Sequence, residues 1–143
     1  MEKATLEMQV SANDIGSLLT IKFDGQDVWQ GDPGSETTLV KYDFDDEQER
    51  ECTVSMTMSG KNESHVQFTE SGEFSKDLLV AVGGIKLDGI NINQIVYDTA
   101  VYNHDFNGSK DPVQDRFFGL MGCNGTVTFK FKTPVFHWFL EHA

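Results

Sequence analysis

Apolar and polar residues alternate with a period of two along most of this chain. Leu6, Met8 and Val10 are separated by Glu7 and Gln9, and Leu19, Ile21 and Phe23 by Thr20 and Lys22. Cys52, Val54, Met56 and Met58 alternate with Thr53, Ser55 and Thr57, the cleanest such run. Successive side chains of a strand point to opposite sides of a sheet, so each run predicts a strand with one apolar and one polar face. Val40, Tyr42 and Phe44 continue the pattern, as do Val66 and Phe68, and then Val127, Phe129 and Phe131 beside Lys130 and Lys132. Asp24-Gly25 and Asp88-Gly89 read as tight hairpin turns, because that dipeptide suits the positive φ such turns need. Lys76 to Asn93 reads as a buried strand, a Gly83-Gly84 break, and a short strand carrying Ile85 and Leu87.

No stretch carries a convincing long helix. Tyr97 to Tyr102 is expected to extend Ile95-Val96, and Val135 to Leu140 to form a last strand or a helical turn. Short strands parted by turns at intervals of about ten residues predict an all-β fold, an antiparallel β-sandwich of jelly-roll type. The chain is read as a single sandwich domain over residues 1–143, with the part after residue 97 as a candidate appendage. Six carboxylates and one Arg crowd Asp43 to Glu51, a block expected to be a solvated connection. Asn103 to Asp115 is polar and contains Gly and Pro, which predicts the longest loop.

Charge narrows the partners. Eleven basic and 23 acidic residues leave a formal charge of −12, with no basic stripe to displace counterions from a nucleic acid or an anionic membrane. Neither is expected as a partner; the balance suits a cation site or a neutral ligand such as sugar. The start, Met1-Glu2-Lys3-Ala4-Thr5-Leu6, lacks the basic and apolar regions of a signal peptide. The chain is therefore expected to act without export, in a virion or the cytoplasm of the producing cell, unless a leader has been removed. Two cysteines, Cys52 and Cys123, imply no disulfide framework, and two buried thiols are expected ahead of one bridge. Asn62-Glu-Ser64, Asn107-Gly-Ser109 and Asn124-Gly-Thr126 match the glycosylation acceptor pattern but are read as turn chemistry.

The order of features over residues 4–92 resembles calcium-dependent xylan-binding carbohydrate-binding modules. The elements that carry the resemblance are Leu6 to Val10, Leu19 to Gly25 with Val28-Trp29, Glu51 to Met58, and Lys76 to Val82 followed by Ile85 to Gly89. It implies a small jelly-roll that binds glycan with calcium and catalyses nothing. Carried over by position, it makes Asp77 the foremost calcium ligand candidate, with Glu70 and Glu73 in the adjoining loop. The last fifty residues have no counterpart in such a module. From Asn103 through Phe117 to Gly125 and the C-terminal aromatics, they look like segments of small tailed-phage proteins.

A sugar site needs aromatic faces for ring CH groups and planar polar side chains for hydroxyls. Trp29, Tyr42 and Tyr102 are the candidates; Trp138, set among Phe136, Phe139 and Leu140, is assigned to the core. Asp105, Asn107 and Asp111 fail EF-hand spacing and read as an Asx-turn loop. Signatures of a hydrolase elbow, a zinc protease helix or a phosphate-cradling loop are missing, and His104-Asp105 alone does not make an enzyme. The leading expectation is a non-catalytic glycan-binding sandwich displayed on a phage particle. The alternative is a structural virion or assembly protein that uses the sandwich, and aromatics such as Phe129, Phe131 and Phe136, for subunit or homo-oligomer contacts.

Overall fold

The computed structural model describes residues 2–13, 16–61, 78–108 and 110–142, together with the backbone of 67–68 and 74–76. In chain order the strands are β1 (Lys3–Ala12), β2 (Leu18–Phe23), β3 (Gln26–Gly31), β4 (Thr38–Asp45), β5 (Arg50–Ser59), β6 (Gln67–Phe68), β7 (Phe74–Lys76), β8 (Val80–Leu87) and β9 (Ile90–Asn91). A short helix, α1 (Asn93–Thr99), precedes β10 (Val101–His104), β11 (Val113–Arg116), β12 (Leu120–Met121) and β13 (Gly125–Thr133). Helix α2 (Val135–Glu141) follows.

Two sheets make the all-β sandwich that the alternation predicts. One runs β12-β8-β1-β4, with β9 paired to β8; the other runs β11-β10-β13-β5-β2-β3. Strands β6 and β7 pair with each other. All described pairings are antiparallel. Ala4, Leu6, Met8 and Val10 of β1 are buried at every second position, as are Cys52, Val54, Met56 and Met58 of β5. Apolar side chains of the two inner faces meet and leave water together, which is what holds the sheets.

The Gly83-Gly84 break is corrected: β8 is one strand with a bulge. Its register against β1 jumps from Glu7↔Lys86 to Gln9↔Gly83, so the extra residue lets both Val82 and Ile85 face the core. Gly84 sits at φ 55, and a Cβ there would stand 3.1 Å from the Gln9 side chain. The acidic connection is shorter than expected, because β4 runs through Asp45 and β5 begins at Arg50. Residues 93–99 form helix rather than an extension of a strand, and Val135 opens a helix rather than a strand. The segment after residue 97 is no appendage to the sheets: β13 pairs with β5 on one side and β10 on the other, and β12 joins the smaller sheet.

Candidate functional site

Strands β3 and β4 are the edges of their sheets, and a cleft opens between the sheets on that side. Leu6 faces the core and pairs with Tyr42, so Tyr42 also turns inward, at the rim where it is half-buried. Its ring lies 4.9 Å from Phe23, which stacks on Phe44 at 5.0 Å. These rings form the apolar floor.

The polar wall comes from the β2–β3 turn and the start of β5. Asp24 (φ 49) and Gly25 (φ 83) take the left-handed backbone that the tight turn demands. Arg50 Nη1 donates to Asp24 Oδ2 at 2.6 Å, while Asp24 Oδ1 accepts the Thr53 N–H at 2.8 Å. The guanidinium also sits 5.9 Å from the centre of the Phe23 ring. Burial works against the Arg50 charge, yet the Asp24 hydrogen bond and the nearby Cys52, Asp24 and Asp45 leave it more firmly protonated than an ordinary arginine. Lys3, Gln26 and Asp45 complete a cavity of about 280 Å³ around Tyr42, Asp24 and Arg50. Two planar charged groups are thus fixed beside an aromatic ring, the combination that recognises ring CH groups and hydroxyls together. Sequence reasoning took Asp24 only as a turn residue and missed Arg50, although Arg50 is the one base in the acidic block.

Trp29 lies on β3 opposite the buried Ile21 and packs against the core, half-buried. It therefore shares the sandwich edge with Tyr42. Tyr102 is a correction: at 6% exposure it offers no face for a sugar. Its hydroxyl donates to the Cys123 carbonyl and accepts the Cys123 N–H at 2.9 Å. Burial pushes this phenol up to about 12, against the lowering effect of the Cys123 hydrogen bond.

His104 pairs not with its neighbour Asp105 but with Asp115 across the β10–β11 ladder, Nε2 to Oδ2 at 2.6 Å. Its Nδ1 accepts the Phe106 N–H at 3.3 Å, which leaves the proton of a neutral ring on Nε2, facing the carboxylate. Asp105 instead accepts the Gly108 N–H at 2.8 Å, the Asx-type turn expected of this loop. Trp138 is buried, as is Cys52; Cys123 is half-buried, and no disulfide joins the two cysteines.

Asp77, Glu70 and Glu73 lie outside the described residues. Among the described residues, no three His, Cys, Asp or Glu side chains gather as a metal site would require.

Neither a protein-family model nor a curated protein matches the chain. Two solved structures are similar to it. One is vCBM60 in complex with galactobiose, at 13% identity and a TM-score of 0.49, covering 87% of this chain and 96% of that one. The other is the selenomethionine form of vCBM60, from work linking two families of calcium-dependent carbohydrate binding modules by circular permutation. It matches at 12% identity and a TM-score of 0.50, over 88% of this chain and 89% of the other. At this identity the likeness concerns the fold alone, an all-β sandwich.

Proposed function

We propose that this chain is a non-catalytic glycan-binding module, and that sugar enters the edge cleft beside Tyr42. The observation that carries the reading is the fixed Asp24–Arg50 pair standing next to the Tyr42 ring in an open cavity. The fold supports it, being shared with a calcium-dependent carbohydrate binding module. Sugar CH groups pack on Tyr42, hydroxyls donate to Asp24 and Asp45, and Arg50 donates to ring or hydroxyl oxygens. Trp29 adds apolar surface along the same edge. Bond cleavage plays no part in this scheme.

Calcium belongs to the same proposal. Glu70, Glu73 and Asp77 are oxygen donors of the kind a hard cation takes, and would hold it near the segment joining β5 to β8. Bound there, it would supply a positive point for hydroxyl oxygens.

Affinity electrophoresis through gels containing soluble galactan or xylan tests the reading, with calcium and with chelator. Retardation of the native chain, weakened about tenfold by Tyr42→Ala, is the expected result. An unretarded native chain under every condition overturns it. Calcium is read separately, since a cation held by the native state alone raises the melting midpoint. Coincident melts with calcium and chelator remove the ion from the proposal and leave the cleft.

A second reading is favoured by Phe118, Leu120, Phe136 and Leu140, which are 61%, 55%, 65% and 62% exposed. Such apolar surface suits subunit contacts in an assembly or virion protein. Sedimentation to a defined oligomer, with no glycan retention, would select it.

A further inference from the structure

The six-stranded sheet carries an unbroken line of uncharged hydrogen-bonding side chains across its outer face. Strand register sets the line. Gln30 is opposite Thr20, Thr20 opposite Thr57, and Thr57 opposite Thr126; Thr126 is opposite Asn103, and Asn103 opposite Gln114. Thr20, Thr57 and Thr126 sit between or beside buried neighbours such as Leu19, Ile21, Met56, Met58 and Val127, so they face outward. Gln30, Asn103 and Gln114 are exposed, and the three threonines between them are half-buried.

Part of the line is already ordered. Gln30 Nε2 donates to Thr20 Oγ1 at 3.1 Å, and the Thr57 and Thr126 hydroxyls share a hydrogen bond at 3.0 Å. Strands stand roughly 4.8 Å apart, so six of them span about 24 Å, long enough for several linked sugar rings. A hollow lies near each end. One, of about 240 Å³, is lined by Thr20, Gln30 and Thr57 together with Lys22 and Asp27. The other, of about 430 Å³, has Asn103 and Gln114 in its lining, with Trp138 and His142 of the C-terminal segment.

Charge selects the occupant. The chain carries −12, yet this line has no charged member. Of the charges flanking it, Lys22 lies 3.9 Å from Asp27 and Arg116 3.4 Å from Asp98. A polyanion would meet the repulsion of the whole molecule, and a hydrophobic partner would find little apolar surface along the line. Hydroxyls and carboxamides both donate and accept, which matches a neutral polymer of hydroxyls.

We propose that this line is a second contact surface, independent of calcium, for one extended neutral polysaccharide lying across the strands. It rests on the glycan-binding reading above and adds to it a preference for long, uncharged chains. Short sugars occupy the edge cleft; the sheet face engages only a polymer.

Two variants test it: Thr57→Lys, which puts a charge at the centre of the line, and the double variant Gln30→Ala/Gln114→Ala, which trims both ends without adding charge. Outward positions such as these are compatible with folding, and an unchanged melting midpoint verifies it. Retardation by galactan or xylan, measured in chelator, is expected to weaken about tenfold in both variants. Binding of galactobiose or xylobiose, measured by calorimetry with calcium, should stay as in the native chain, and polygalacturonate should not bind. The proposal is overturned if both variants hold the polymer like the native chain while Tyr42→Ala still weakens it, a result that spares the cleft. It is also overturned if Thr57→Lys splits an assembly into monomers, which would make the face a subunit contact. A native chain that binds no glycan removes both readings at once.

Discussion

Asp46 shows how far a single side chain departs from what its neighbours suggest. It belongs to the acidic block around the β4–β5 connection, yet it is buried, and its Oδ1 accepts the Val135 N–H at 2.8 Å. That N–H opens α2 and has no partner within its own helix, so the carboxylate ties the helix to the sandwich. Asp46→Ala is expected to cost about 1–3 kcal/mol of stability in urea denaturation, since it strands a buried donor. Sequence could not supply this, because the partner lies 89 positions away. Two other residues tie stability to pH. Burial raises the Cys52 thiol from 9.0 to about 11, with the nearby Arg50 opposing, and raises the Tyr102 phenol from 10.0 to about 12. Their folded forms hold protons that the unfolded chain releases sooner. The stabilisation is therefore complete below about pH 9 and is lost progressively up to about pH 12. Denaturation midpoints should fall across that window, and Cys52→Val should flatten its lower part.

Elements with strict alternation were legible in advance. β1, β2, β5 and β13 alternate because one face of each meets the core and the other meets water, a division written directly into side-chain chemistry. Helix α1 was not legible. It is seven residues long, has no side-chain cap and carries no acidic residue in its first turn, so the usual local signals are missing and packing of Val96 sets it. The cleft was half legible: aromatic content pointed to Tyr42, but the Asp24–Arg50 pair forms only when the β2–β3 turn folds beside β5. Likewise the glycine pair in β8 marks a bulge, which a one-dimensional pattern cannot tell from a break. Gly84→Ala should cost about 1–3 kcal/mol, from the left-handed backbone and the approach to Gln9. Gly83, with open space at its Cβ position, should tolerate the same change much better in a thermal melt.

At the scale of the molecule, composition and period gave the class of fold, while the order of strands came from long-range pairing. β13 contacts β5 over nine residue pairs and β10 over four, and so joins the hairpin side of the sheet to β10 and β11. Deleting residues 125–143 should therefore abolish the cooperative melt rather than trim it, as near-UV circular dichroism against temperature would show. The same placement governs how the chain folds as it is made. β5 precedes β13 in the sequence by more than sixty positions, and β10 by more than twenty. Until β13 arrives, both strands must wait with a bare edge of unpaired amides and carbonyls. A nascent chain paused short of residue 125 thus presents two templates for pairing with its neighbours, and crowded synthesis is where this protein is most exposed to misassembly.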